Sequence, residues 1–206
     1  MPTSNAVPGF LPSANGFHFA NRFPPGPTLK VGVLDPRLIG IGDAAAGLCG
    51  GMAWSARERF VAGRPIPPDT VAPANGSPLF HALVRSQVRS LRWFLTSWQF
   101  WWSGMIGPTR TIASTRASVL PGIVRAIDAG RLPLVGLVRH TGASPWAMTD
   151  SHQVLVFAYA ATDGGSTTLR IYDPNWPGRD DVTITVDADG IRQSTGELLF
   201  GLLLLD

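Results

Sequence analysis

The hydrophobic period of this chain changes once along its length, and that change limits the folds open to it. From Leu79 to about Trp102, apolar residues Phe80, Val84, Val88, Leu91, Leu95, Trp98 and Trp102 recur every three or four positions, the repeat of an amphipathic helix. An earlier helix is predicted from near Leu48 to about Ala62, stopped by the Pro-rich loop "GRPIPPDTVAPANGSP". After a turn near "GMIGPTR", a further helix is predicted from Ala117 to Ala129, ended by Gly130. From there on the runs are short and rich in Val, Leu, Ile and Tyr: "LPLVGLV", "HQVLVFAYA" and "TTLRIYD". The turn "TDGGS" between the last two makes them a hairpin, alternating "DVTITVD" extends the sheet, and "ELLFGLLLL" closes it. Helices first and an antiparallel sheet after them predict an α+β fold.

With 206 residues there is room for one large domain, and residues 1–36 read as an irregular arm wrapping it, being rich in Pro, Gly, Asn and Phe without a sustained period. Hydrophobic residues make up 45% and charged residues 15%, the balance of a globular chain. The start, "MPTSNAVPGFLPSANGF", lacks a basic segment followed by an apolar run, so no secretory signal is expected. No window supplies the roughly 18 uncharged apolar residues of a spanning helix. The expectation is a soluble, cytoplasmic protein. Net charge is +3, Lys30 is the sole lysine and the arginines are scattered, which argues against a nucleic-acid partner. Arg85, Arg89 and Arg92 share one helical face, which reads as a solvated one.

Cys49 is the only cysteine, which excludes an internal disulfide and a multi-cysteine zinc site, and no metal or cofactor is expected. It lies in "GLCGGMAW" at a predicted helix start, where unpaired N–H groups and the helix dipole favour a thiolate. Gly47, Gly50 and Gly51 leave space for a substrate backbone to approach, and the same N–H groups, that of Gly50 among them, suit an oxyanion. The alternative is a buried structural cysteine, with the glycines serving tight packing.

A thiolate nucleophile needs a base held in place. His81 falls in the first turn of the long helix, His18 in the arm, and His140 opens the loop "HTGASPWAMTDS", a second choice. His152 stands at the first position of a predicted strand, where a side chain faces a cleft from a rigid backbone. Asp173 ends the partner strand of the same hairpin, in "RIYDPNWPG". The start of one antiparallel strand lies beside the end of the next, so His152 and Asp173 should be neighbours. A carboxylate there fixes the imidazole tautomer.

Cys at a helix start, His at a strand start and Asp at the end of the following strand resemble the papain-like cysteine peptidases. The likeness lies nearest the bacterial branch around the bacteriocin-processing peptidases, in "GLCGGMAW", "SHQVLVFAYA", "RIYDPNWPG" and "IVRAIDAGRLPLVGLV". It spans roughly residues 43–186 and implies a single papain-like α+β domain over 37–206. It further implies Cys49 as nucleophile, His152 as general base and acid, and Asp173 as orienting residue, with Asn175 the alternative orienter. The activity implied is that of a cysteine hydrolase on a peptide or amide substrate. A transferase, or an inactive binding or scaffold protein on the same fold, are the alternatives. The sequence departs from the family at Asp43, where a glutamine usually donates to the oxyanion. An ionised carboxylate donates nothing and repels the developing charge.

The Trp-rich stretch "WFLTSWQFWWSGMIG" raises the idea of a membrane-surface patch. The preferred expectation places Trp98 and Trp102 in the core and Trp93 and Trp101 along a groove or interface, because an interfacial helix carries a richer Lys/Arg face.

Overall fold

A computed structural model describes residues 3–24, 47–90, 102–103, 107–139 and 152–206. Lys30, Asp43, Arg92, Trp93, Trp98, Trp101 and His140 lie outside the described residues, as do Leu91 and Leu95 of the long helical repeat. Helices α1 (Pro12–Asn15), α2 (Cys49–Val61), α3 (Pro78–Ser90), α4 (Pro108–Ser114) and α5 (Leu120–Asp128) occupy the first part of the chain. Strands β2 (Leu134–Val138), β3 (His152–Ala161), β4 (Thr167–Tyr172), β5 (Thr183–Asp187), β6 (Gly190–Gln193), β7 (Leu198–Leu199) and β8 (Gly201–Leu204) come after them. Among the described residues every strand pairing is antiparallel, and the fold is α+β. Among the described residues, no helix is long and apolar enough to cross a membrane.

The strand order is β7-β6-β5-β4-β3-β2-β8. Phe200 alone separates β7 from β8, and its N–H donates to Val138 O at 2.8 Å. The two ends of the strand order are therefore one chain segment, which pairs with β6 through its first half and with β2 through its second. Closing a sheet on itself removes the exposed edges that would otherwise template pairing with other chains. Leu169, Ile171, Ile184, Val186, Ile191, Leu199 and Leu202, all buried, belong to the core.

Residues 3–24 are less irregular than their composition predicts. Strand β1 (Thr3–Ala6) pairs with the far half of β3, Thr3 opposite Ala161 and Ala6 opposite Ala158, while β2 takes the near half. Beyond β1 the segment is anchored by Phe10, Phe17, Phe19 and Phe23, each buried in the main core. Strand β1 has no alternating pattern to betray it, since "TSNA" is exposed at all four positions.

The helix predicted over 117–129 begins earlier, at Pro108, behind Gly107 at φ +83°. It runs through a π-helical turn, Thr115–Val119, into α5. Pro121 explains the widening: it lacks an N–H, and its ring crowds the carbonyl four residues back, so a wider turn ahead of it relieves both. The Thr115 hydroxyl, turned inward there, donates to Thr111 O and accepts from the Leu202 N–H, both at 2.9 Å. Trp102, expected in the core, is 52% exposed. Its neighbour Ser103 is the buried residue, its carbonyl accepting from Thr111 Oγ1. Arg85 and Arg89 are exposed on α3, and Arg89 pairs with Glu58 of α2 at 3.3 Å.

Candidate active site

Cys49 is the first residue of α2, and the helix start is fixed by side chains from two other parts of the chain. The first intrahelical bond runs from the Met52 N–H to Leu48 O at 2.9 Å. Ahead of it, the Gly51 N–H donates to Gln87 Oε1 of α3 at 2.7 Å, and the Gly50 N–H, read from sequence as an oxyanion donor, points at the Cys49 sulfur itself. The Cys49 N–H is the third donor of that turn. Just outside, the Leu48 N–H donates to Asn21 Oδ1 at 2.6 Å.

The glycines around the thiol are filled from inside the protein, not left open for a substrate. A Cβ on Gly50 would stand 2.4 Å from Gln153 Oε1 and 2.5 Å from Ser90 Oγ, and one on Gly47, at φ +89°, 2.5 Å from Asn21 Nδ2. On Gly51 it would stand 2.3 Å from the backbone oxygen of Leu83, where α3 crosses α2. That oxygen belongs to a helix and cannot swing aside. Gly51→Ala is therefore expected to destabilise the protein by about 1–3 kcal/mol, as overpacked cores do, read as a lower denaturant midpoint with an unchanged slope. An unaltered midpoint would show that α2 and α3 do not cross this closely.

His152 opens β3 and Asp173 follows β4, and a β-bulge decides that they share a face. Near the turn Ala158 faces Arg170, but past Phe157 the register shifts by one, so that Leu155 faces Tyr172. Continuing the shifted register sets Asp173 opposite Val154, on the same side of the sheet as His152. Without the extra residue Asp173 would fall opposite Leu155, on the other side, because a slip of one residue turns a strand over. His152 Nε2 stands 2.6 Å from Asp173 Oδ1, with both groups almost wholly buried. Nε2 donates there, which leaves Nδ1 for the hydrogen bond that the ring makes with Cys49.

Asp173 is held from two further directions. Gln193 Nε2 of β6 donates to Oδ2 at 2.7 Å, and the Asn175 N–H donates to Oδ1 at 2.9 Å. The Asn175 Nδ2 lies 3.5 Å from Nε2 but, as an amide nitrogen, cannot accept its proton. Of the two candidate orienting residues, Asp173 is the one that accepts from the ring.

Charge and burial oppose each other throughout the site. Burial pushes the Cys49 thiol up, but the His152 charge, its hydrogen bond and the N–H groups of Gln153 and Gly50 outweigh it, and the thiol lies below its ordinary 9.0. Burial pulls the imidazole of His152 down, yet the charges of Asp173 and Cys49 and hydrogen bonds to both push it up to about 10. Burial likewise raises Asp173, and His152, Asn175 and Gln193 more than offset it, leaving the carboxyl below its usual 3.8. A lowered thiol facing a raised imidazole favours the thiolate–imidazolium form of the pair over the neutral one.

The chain matches no family model, no curated protein and no solved structure. Among the described residues, no group of three or more His, Cys, Asp or Glu is placed to hold a metal ion. His81 is exposed and His18 half-buried in the arm. Four contributors are not legible in the sequence as site residues: Asn21, Gln87, the N–H of Gln153, and Gln193. Only Gln193 carries a local signal, two positions from buried Ile191 and so on the inward face of a short strand.

Proposed function

We propose that this chain is a papain-like cysteine hydrolase, a peptidase or amidase that works through an acyl-enzyme. The observation that carries the reading is the buried chain Cys49–His152–Asp173, with a lowered thiol and a raised imidazole. A buried structural cysteine has no use for an imidazolium at its sulfur, nor the imidazolium for a carboxylate with two more donors on it.

In this reading Cys49 Sγ attacks the carbonyl carbon of a peptide or amide, and the C=O electron pair moves onto oxygen. The Cys49 N–H, at the positive end of α2, faces the oxyanion. The tetrahedral intermediate collapses as the C–N bond breaks, and His152 gives its Nδ1 proton to the departing amine. The resulting thioester is released when water, losing a proton to the now neutral His152, adds to the carbonyl and expels the thiolate. Asp173 keeps Nε2–H pointed away from the sulfur throughout, so that Nδ1 always faces it. An amine in place of water would make the same site a transferase.

The test is intact-mass spectrometry after mixing the protein with a panel of activated esters and peptide amides. The expected result is an acyl adduct that maps to Cys49, turns over with time and is missing from Cys49→Ala. A thiolate that alkylates readily but acquires no acyl group from any member of the panel would contradict a hydrolase and favour a binding protein.

A further inference from the structure

We propose that Asn21, in the N-terminal segment, is a positioning residue of this site, fixing which end of the Asn175 amide meets His152 while tying the start of α2 to the loop after β4. The inference rests on the cysteine-hydrolase reading and extends it to a part of the chain far from the three central residues.

The polarity of the connection follows from donor and acceptor chemistry alone. The Leu48 N–H can only donate, so the Asn21 atom that meets it at 2.6 Å is Oδ1. That leaves Nδ2 of Asn21 facing Asn175, where a donor needs an acceptor, and Asn175 Oδ1 stands at 3.3 Å. The Asn175 amide is then committed, with Nδ2 toward the His152 ring at 3.5 Å. A donor there cannot compete for the Nε2 proton, so Asp173 has it alone at 2.6 Å. Turned the other way, Asn175 would offer an oxygen to the same proton. The backbone of the segment is fastened as well, since the Asn21 N–H donates to Pro174 O at 2.9 Å. Gly47 is the accommodation on the other side, because any Cβ there would strike Asn21.

One side chain thus joins the element that carries the thiol to the loop that carries the carboxylate. Among the described residues, the titratable groups around the ring are Cys49 from α2 and Asp173 from the loop after β4, with Tyr172 of β4 beside Asp173, raised by burial and by that carboxylate's charge. Gln193 of β6 faces Asp173 as a neutral donor. Breaking that link at either asparagine lets the thiol and the carboxylate–imidazolium pair move relative to each other, and a thiolate held less closely against the imidazolium is a weaker one.

The experiment is the pH profile of Cys49 alkylation by iodoacetamide, with the melting temperature beside it, for wild type, Asn21→Ala, Asn175→Ala and the pair. Ser13→Ala, which removes the hydrogen bond from Ser13 Oγ to Asp180 Oδ2 at 2.7 Å, controls for general loosening of the arm. Asn21→Ala is expected to move the midpoint up by about one pH unit, a roughly tenfold loss of rate on the acid side. Asn175→Ala should do the same, the pair no more than either, and Ser13→Ala should leave the midpoint in place. A lower melting temperature with an unmoved midpoint overturns the inference and leaves Asn21 a structural residue. If Asn21→Ala does not fold, an unmoved midpoint in Asn175→Ala overturns it equally. A wild-type thiol that titrates in the ordinary range would instead remove the hydrolase reading, a result distinguishable from any of these.

Discussion

Replacing His152 with alanine is expected to slow alkylation of Cys49 near pH 6 on the order of a hundredfold or more, with the rate recovering only above about pH 8.5. The direction is forced by the balance at the sulfur. The largest influence on Cys49 is burial, which raises it, and the opposing charge and hydrogen bond both come from His152. Without the imidazole, only the N–H groups of Gln153 and Gly50 are left against burial. At pH 6 a thiol of ordinary acidity is thiolate in roughly one molecule in 300. The lower intrinsic nucleophilicity of an acidic thiol offsets part of that factor. On the proposed mechanism hydrolysis should fall further, because the proton donor to the leaving group goes with the same side chain. An unchanged profile would mean that the ring does not govern the thiol.

Asp173→Ala is expected to show its largest effect in stability. Removing one partner of a buried pair leaves the other uncompensated, at a cost of about 3–5 kcal/mol. In a chain of this size that corresponds to a fall in Tm of roughly 6–20 °C. The pH dependence has a definite sign. His152 is raised, so its contribution to wild-type stability is complete below its ordinary 6.5 and is lost as pH climbs through about 10. Asp173 is lowered, so its contribution is complete above its ordinary 3.8 and fades as pH falls through the value it has when folded. The gap between wild type and variant should therefore be widest between these two ordinary values and narrow on either side. Thermal unfolding across that range measures it. A gap that grows steadily toward alkaline pH would contradict a charged pair.

The parts of the site that rest on local pattern are legible in the sequence, and the parts that rest on contact between distant segments are not. A hairpin with "TDGGS" at its turn brings His152 and Asp173 to the same end, and the two stand 2.6 Å apart. The bulge at Phe157, which puts them on the same face, has no signature in "HQVLVFAYA", where every residue suits a buried strand. Glycines flanking a cysteine read equally well as room for a substrate or as room for the protein. The choice falls to Leu83, Gln153, Ser90 and Asn21, none of them adjacent in sequence. Asn21 is a lone asparagine in a turn-rich stretch, where asparagine is ordinary, and its partners are Leu48, Pro174 and Asn175. Strand β6 is hidden for a simpler reason: "GIRQ" has one apolar residue and follows a turn. The closing of the sheet can be foreseen only as a final strand, because the break at Phe200 divides "ELLFGLLLL" between two partners.

The most direct measurement of the resting charge state is the ultraviolet absorbance of the thiolate, followed through a pH titration as the difference between wild type and Cys49→Ser. With a single cysteine in the chain, the step belongs to Cys49 alone. A thiolate–imidazolium pair requires that step to lie well below 9.0, with the absorbance already present at neutral pH. A step at or above 9.0 would show a neutral buried thiol beside a neutral imidazole, and the site would then have no nucleophile.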